Sequence, residues 1–265
     1  MRPQSSLARS LLSVVLTATV AAMLGGCQTA SMSDTTGSIS GKKSEAAETD
    51  PRRAVDAYGE RYRANPKNPE AALSYGQALR ATGQRAQAVA VLEQASIANP
   101  GNKLVLAGYG RALADHGQFQ RAFDVLNSSH SPDNPDWRIL SVQGTALDQL
   151  GRHDEARNYY HSALKIVPEE PTVLSNLGMS YVLSKDLSKA EDVLRRAYAR
   201  PNVDPRVRQN LALVVGLQGR FGEAESIVRA DLPPEEAAAN VAYLKQMLDR
   251  KAPSRADTAR ALSRS

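Results

Sequence analysis

Between positions 51 and 250 the apolar residues recur with helical spacing, interrupted at regular intervals by short polar breaks. The segment Trp137 to Pro168 shows the pattern most clearly. Leu140, Gly144 and Leu147 fall at i, i+4, i+7; a break follows at Gly151-Arg152-His153; then Ala156, Tyr160 and Ala163 repeat the spacing before Pro168. Each trio lies on one face of a helix, so the segment predicts two amphipathic helices joined by a tight turn. Gly144 sits inside the first of these, where glycine costs about 1 kcal/mol relative to alanine. Close approach of the second helix explains it, with the small Ala156 expected to face Gly144.

The same pattern returns along the chain. The small residue occupies 76, 110, 144, 178 and 212, and an alanine occupies 88, 122, 156, 190 and 224, every interval being 34. Gly83, Gly117, Gly151 and Gly219 mark the turns as left-handed helix ends, with Lys185 in place of glycine in the fourth copy. The second copy weakens at Ser129 and the turn Ser131 to Pro135, and Arg208 obscures the start of the fifth. Upstream, Asp50-Pro51 reads as an N-cap and first helical residue, and Ala54, Tyr58 and Pro66 align with the second half of a copy. Downstream, Glu235 to Arg250 reads as a closing helix whose Ala239, Val241, Leu244 and Leu248 cover the last copy.

A small residue at position 8, alanine at 20 and 27 and proline at 32, all present in Trp137 to Pro168, is the arrangement of a tetratricopeptide repeat (TPR). The tryptophan of that pattern at position 4 is missing, its place being taken by Ala72, Leu106, Leu140, Leu174 and Arg208. The expected fold is all-α: a right-handed TPR solenoid of about five helix-turn-helix repeats, an N-terminal half-repeat and a C-terminal capping helix over 50–250.

The ends have a different composition. Arg2 and Arg9 precede an apolar run from Leu11 to Met23, too short for a membrane span of about 20 residues, and Leu24-Gly25-Gly26-Cys27 follows. This ending resembles the lipobox of bacterial lipoproteins, which implies cleavage after position 26 and lipidation of Cys27. The bare pattern also allows an ordinary secretory signal beside a free cysteine. Residues 27–49 are polar and read as a disordered tether, and 251–265 as a basic flexible tail.

One cysteine excludes an intramolecular disulfide and a cysteine-based zinc site. Although the pI is about 9.3, the segment from 50 to 250 carries 25 basic and 24 acidic residues, so the excess of positive charge lies in the ends. The folded part therefore lacks the basic footprint of a nucleic-acid binder. No catalytic constellation, metal set or cofactor motif emerges. His116, His130, His153 and His161 read as solvated or locally bonded residues at helix ends or turns, and Glu155, Glu191 and Glu223 as an outward-facing repeat position. No small-molecule substrate is implied.

Function then falls to the concave face, lined by positions 2, 5, 9 and 12 of each first helix. Its candidate peptide-groove residues are Arg111, Arg138, Thr145, Met179, Gln209 and Leu213, together with Asn176 and Asn210 at position 6. An apolar floor with amides suits an extended or helical peptide, whose backbone the amides can satisfy. Packing alone is the competing account of each residue. The groove lacks the lysine set by which chaperone-binding TPR proteins hold a C-terminal carboxylate.

From Asn176 to Leu248 the sequence resembles the TPR lipoprotein of tight-adherence (Flp) pilus assembly. The resemblance is carried by Leu183-Ser184-Lys185-Asp186-Leu187, by Arg208-Gln209-Asn210-Leu211-Ala212-Leu213 and by the closing segment Asp231 to Leu248. It implies a periplasm-facing lipoprotein, anchored in the outer membrane, that scaffolds the pilus secretin and its associated machinery. The alternative is a lipoprotein adaptor that recruits cell-wall hydrolases or other envelope complexes.

Overall fold

The computed structural model describes residues 51–131 and 133–251. Cys27, the tether, the Asp50 cap and the tail beyond Lys251 lie outside them. Among the described residues there are twelve α-helices. α1 (Pro51–Ala64) is the half-repeat. The five repeats are α2 (Pro69–Ala81) with α3 (Arg85–Ala98), α4 (Lys103–Asp115) with α5 (Phe119–Asn127), α6 (Trp137–Gln149) with α7 (His153–Ile166), α8 (Pro171–Leu183) with α9 (Leu187–Tyr198), and α10 (Pro205–Leu217) with α11 (Phe221–Val228); α12 (Pro234–Lys251) closes the array.

Capping repeats with the sequence period. Asn68, Asn102, Asp136, Glu170 and Asp204 stand 34 residues apart, and each side chain accepts backbone N–H bonds at the start of a first helix. They satisfy donors that the first turn of a helix leaves unpaired. At the other end Gly83, Gly117, Gly151, Lys185 and Gly219 all have positive φ. In every repeat the next residue donates its N–H five positions back, as from Gln84 to Leu79 (2.8 Å) and from Asp186 to Tyr181 (2.9 Å). These are Schellman turns, and at φ +63° Lys185 adopts the conformation that glycine adopts elsewhere.

Each first helix packs on its own second helix and on the next first helix, whereas the second helices do not pack on one another. The first helices therefore line the inner, concave side. Within a repeat, the contact that sets the pair is glycine against a large side chain 16 residues later. A Cβ added at Gly76, Gly110, Gly144 or Gly178 would lie 2.5–2.7 Å from Leu92, Leu126, Tyr160 or Leu194. The space above Gly144 is thus filled by Tyr160 rather than by Ala156. Side chains on a helix lean toward its N-terminus, so the ring one turn beyond Ala156 reaches that spot.

Two further expectations change. Ala237, not Ala239, is the fully buried alanine of α12, because the covered stripe runs 237, 241, 244 with 3.6-residue spacing; Ala239 is exposed. His161 lies inside α7 rather than at its end, since that helix continues to Ile166. Arg208 begins no irregular segment. Its guanidinium binds both carboxylate oxygens of Asp231 and donates to the Val203 carbonyl at 2.9 Å, joining the chain before α10 to the chain after α11.

Gly144→Ala and Gly178→Ala should destabilise the protein by about 1–3 kcal/mol even though alanine is the better helix former, because the added methyl overpacks the helix pair. Gly222→Ala faces open space and should be neutral or slightly stabilising. Urea titrations of the three variants against the parent chain compare the two effects.

Candidate peptide-binding groove

Two of the cavities along the first-helix face hold candidate groove residues, and these two share no lining residue. The first, of about 470 Å³, lies between α2, α4 and α6 and includes Leu73, Gln77, Arg80, Leu104, Arg111 and Ile139. Ser129, His130, Asn134 and Asp136 come to it from the loop after α5. That loop exists because α5 spans nine residues where α3 and α7 span fourteen. The space left by the shortened helix is taken by Gln143, fully buried, which donates to Asn127 (2.6 Å) and meets His130 Nε2 at 3.2 Å.

Of the candidate residues only Arg111 lies in this cavity. It is half-buried and, among the described residues, has no hydrogen-bond or ion-pair partner. Burial pulls its guanidinium below the ordinary arginine range; Asp136 opposes that shift, and the nearby cations Arg80 and Arg138 add to it. Arg138 itself is exposed, with its guanidinium 4.4 Å from the centre of the Trp137 ring.

The second cavity, of about 400 Å³, lies between α10 and α12. It brings Gln209 and Leu213 together with Leu232, Val241, Leu244 and Met247, so its wall is largely apolar. Met179 is half-buried on α8 between the two. The amides are already engaged: Asn176 donates to Ser141 Oγ (3.1 Å) and Asn210 to Ser175 Oγ (2.9 Å), each across one repeat boundary. Thr145 donates to the carbonyl of Ser141 (3.1 Å).

Asp148, assigned by its helical position to the concave surface, is buried instead. Its carboxylate accepts from Tyr160 Oη (2.9 Å) and Ser180 Oγ (2.8 Å) and meets His153 Nδ1 at 2.9 Å. This polar cluster joins α6, α7 and α8. Burial, and then the neighbouring Asp148, raises the Tyr160 hydroxyl above the ordinary tyrosine range.

The loop contribution to the first cavity was the part that sequence reasoning missed. Its signal was the weakening of the second copy after Ser129. The glutamate series does not hold as one repeat position, since Glu155 and Glu223 precede the position-20 alanine and Glu191 follows it, nor as an outward face. Glu191 is only 14% exposed and accepts from Arg220, Arg195 and Gln218, so the turn of the fifth repeat folds over it.

One family model described as tetratricopeptide repeat matches residues 45–112, and a second matches 142–205. The chain is a TPR protein. Among solved structures, PilW, described as a widely conserved type IV pilus biogenesis factor, aligns with a TM-score of 0.64 at 18% identity, over 74% of this chain and 92% of its own. A thermophilic TPR protein from Thermus thermophilus aligns at 0.59 and 21% identity, over 68% and 100%. The APC/C hetero-tetramer Cut9–Hcn1 aligns at 0.59 and 15% identity, over 75% of this chain and 41% of its own. At these identities the likeness concerns the fold. No curated protein matches the sequence. A TPR array is a scaffold for protein interaction, and its first-helix face is where the two cavities open.

The Glu191 carboxyl is held at about 2, below its ordinary 4.5, chiefly by the Arg220 hydrogen bond. A depressed carboxylate stabilises the fold above its unfolded value and loses that contribution as pH falls through the folded one. Glu191→Gln should therefore lower Tm at pH 7, with the gap from the parent chain closing between about pH 5 and pH 2. Thermal scans across that range measure it.

Proposed function

We propose that this TPR protein is an outer-membrane lipoprotein that scaffolds the secretin and associated machinery of tight-adherence (Flp) pili. The observation that carries the reading is where its distinctive segments fall. Arg208 and Asp231, from two of the three non-consensus segments that resemble the pilus-assembly lipoprotein, bind each other. Gln209 and Leu213 from the same segments share a cavity with the closing helix. The resemblance is thus concentrated on one end of the solenoid and one side of its groove. PilW's description as a pilus biogenesis factor agrees with the reading, although its likeness concerns the fold.

In this mechanism the protein catalyses nothing. Lipidated Cys27 holds the solenoid at the inner leaflet of the outer membrane, facing the periplasm. Several acyl chains make such an anchor stable, where one gives only marginal binding. The groove holds a segment of a partner on the same membrane surface, and confinement raises their effective concentration. An adaptor for cell-wall hydrolases would use the same anchor and groove.

Deletion of the gene should abolish surface pili and reduce secretin multimers in membrane fractions. Persistence of both unchanged would exclude the pilus role, and loss of cell-wall hydrolase recruitment instead would favour the adaptor. Cys27→Ser should release the protein from membranes or leave it unprocessed; unaltered fractionation and gel migration would count against lipidation.

A further inference from the structure

The first cavity combines three features that packing does not explain. Arg111 is a half-buried cation without a partner among the described residues. Lys103 lines the same space, while the nearby Arg80 is already occupied by Asp115 at 2.6 Å. Leu104, at the rim, is 72% exposed beside the apolar surface of Leu73, Ala107 and Ile139. Finally, His130 Nδ1 is buried and, among the described residues, has no hydrogen-bond partner. Because Gln143 presents its carbonyl oxygen to Nε2, Nε2 is the donor and Nδ1 is an acceptor lacking a donor.

We infer that this cavity is a subsite for a partner peptide segment carrying an acidic side chain next to an aliphatic one. The carboxylate takes the fork of Arg111, which binds a planar anion through two parallel N–H bonds. The aliphatic side chain covers Leu104 and the apolar floor. His130 Nδ1, closed off from the cavity surface, is not among the segment's contacts. Asp136 beside Arg111 limits the positive charge and favours a singly charged carboxylate over a phosphate. The C-terminal carboxylate is not required, since an acidic side chain from mid-segment can take the Arg111 fork.

The inference rests on the first-helix face being the partner groove, and not on the pilus assignment. A gene deletion that leaves pili intact removes the latter alone; the binding assay below tests the former.

The test uses the full chain in detergent and two fluorescent, C-terminally amidated peptides, one alternating glutamate with leucine and the other glutamine with leucine. Fluorescence anisotropy should show the glutamate peptide binding about tenfold more tightly at low salt, as a charge-assisted hydrogen bond provides, with the difference shrinking as salt rises. Arg111→Met should abolish that preference, Arg111→Lys should retain part of it, and Arg229→Gln, at the end of a second helix and away from the groove, should leave it unchanged. Arg111→Met should also raise Tm, because it removes a half-buried charge that makes no hydrogen bond or ion pair among the described residues.

Equal binding of the two peptides, or an unchanged preference in Arg111→Met, would overturn the proposal. So would a fall in Tm together with unchanged binding, which would make Arg111 a packing residue. Binding that appears only with a free C-terminus would assign the site to chain ends instead. If Glu45→Gln with Glu48→Gln raised peptide affinity about tenfold, the occupant would be the acidic stretch of this same chain, and the partner assignment would fall.

Discussion

The architecture depends on the missing side chain at position 8 of the repeat. At Gly76, Gly110, Gly144 and Gly178 a single methyl group would collide with the residue 16 positions later, so glycine sets how closely the two helices of a repeat approach. The fifth repeat has Ala212 there, opposite Val228, a smaller residue than the leucines and tyrosine of the others. Small against large, and less small against less large, keeps one spacing through the array. A uniform spacing lets units stack by nearest-neighbour contacts alone.

A second contact, also in register, joins successive first helices. Position 5 of one repeat meets position 6 of the next, 35 residues on. At the N-terminal end the pair is Leu73 with Gly108, where a Cβ would come within 2.7 Å of the leucine. In the middle, Val142 packs on the cluster that holds Ala107. Toward the C-terminus the pairs become Ser141 with Asn176 and Ser175 with Asn210, joined by hydrogen bonds. The same geometry thus passes from apolar to polar along the concave face. Each hydrogen bond adds about 1 kcal/mol net and fixes the amide that a ligand would otherwise use.

What could be read in advance follows from this periodicity. Helix number, turn positions and the place of Arg111 on the inner face all follow from a period of 34 superposed on one of 3.6. Features that depend on one repeat differing from its neighbours were not legible. Tyr160 could be placed on its helix, but its hydroxyl bonds Asp148 of the preceding helix, where Ser180 arrives from the following one and His153 from the start of its own. Likewise the loop that completes the first cavity arises because α5 stops early, and a weakened pattern shows where a helix ends without showing where the chain then goes. The periodic caps from Asn68 to Asp204 were legible in principle, since their spacing is the repeat's own.

The two cavities divide the groove by chemistry as well as by position. Near α4 the surface offers a cation whose charge is held in place against burial and against Arg80 and Arg138; near α10 it offers an apolar wall completed by the closing helix. Between them the Asp148 cluster ties three helices together through buried hydrogen bonds, a network that favours a single geometry when every member is satisfied. A segment lying along the whole face would therefore need an acidic residue at one end and aliphatic or aromatic residues at the other, over a middle section that does not adjust to it. Such a surface selects both sequence and direction: a reversed segment would bring its carboxylate to the apolar wall and leave Arg111 unpaired, losing the ion pair and desolvating the acid at once.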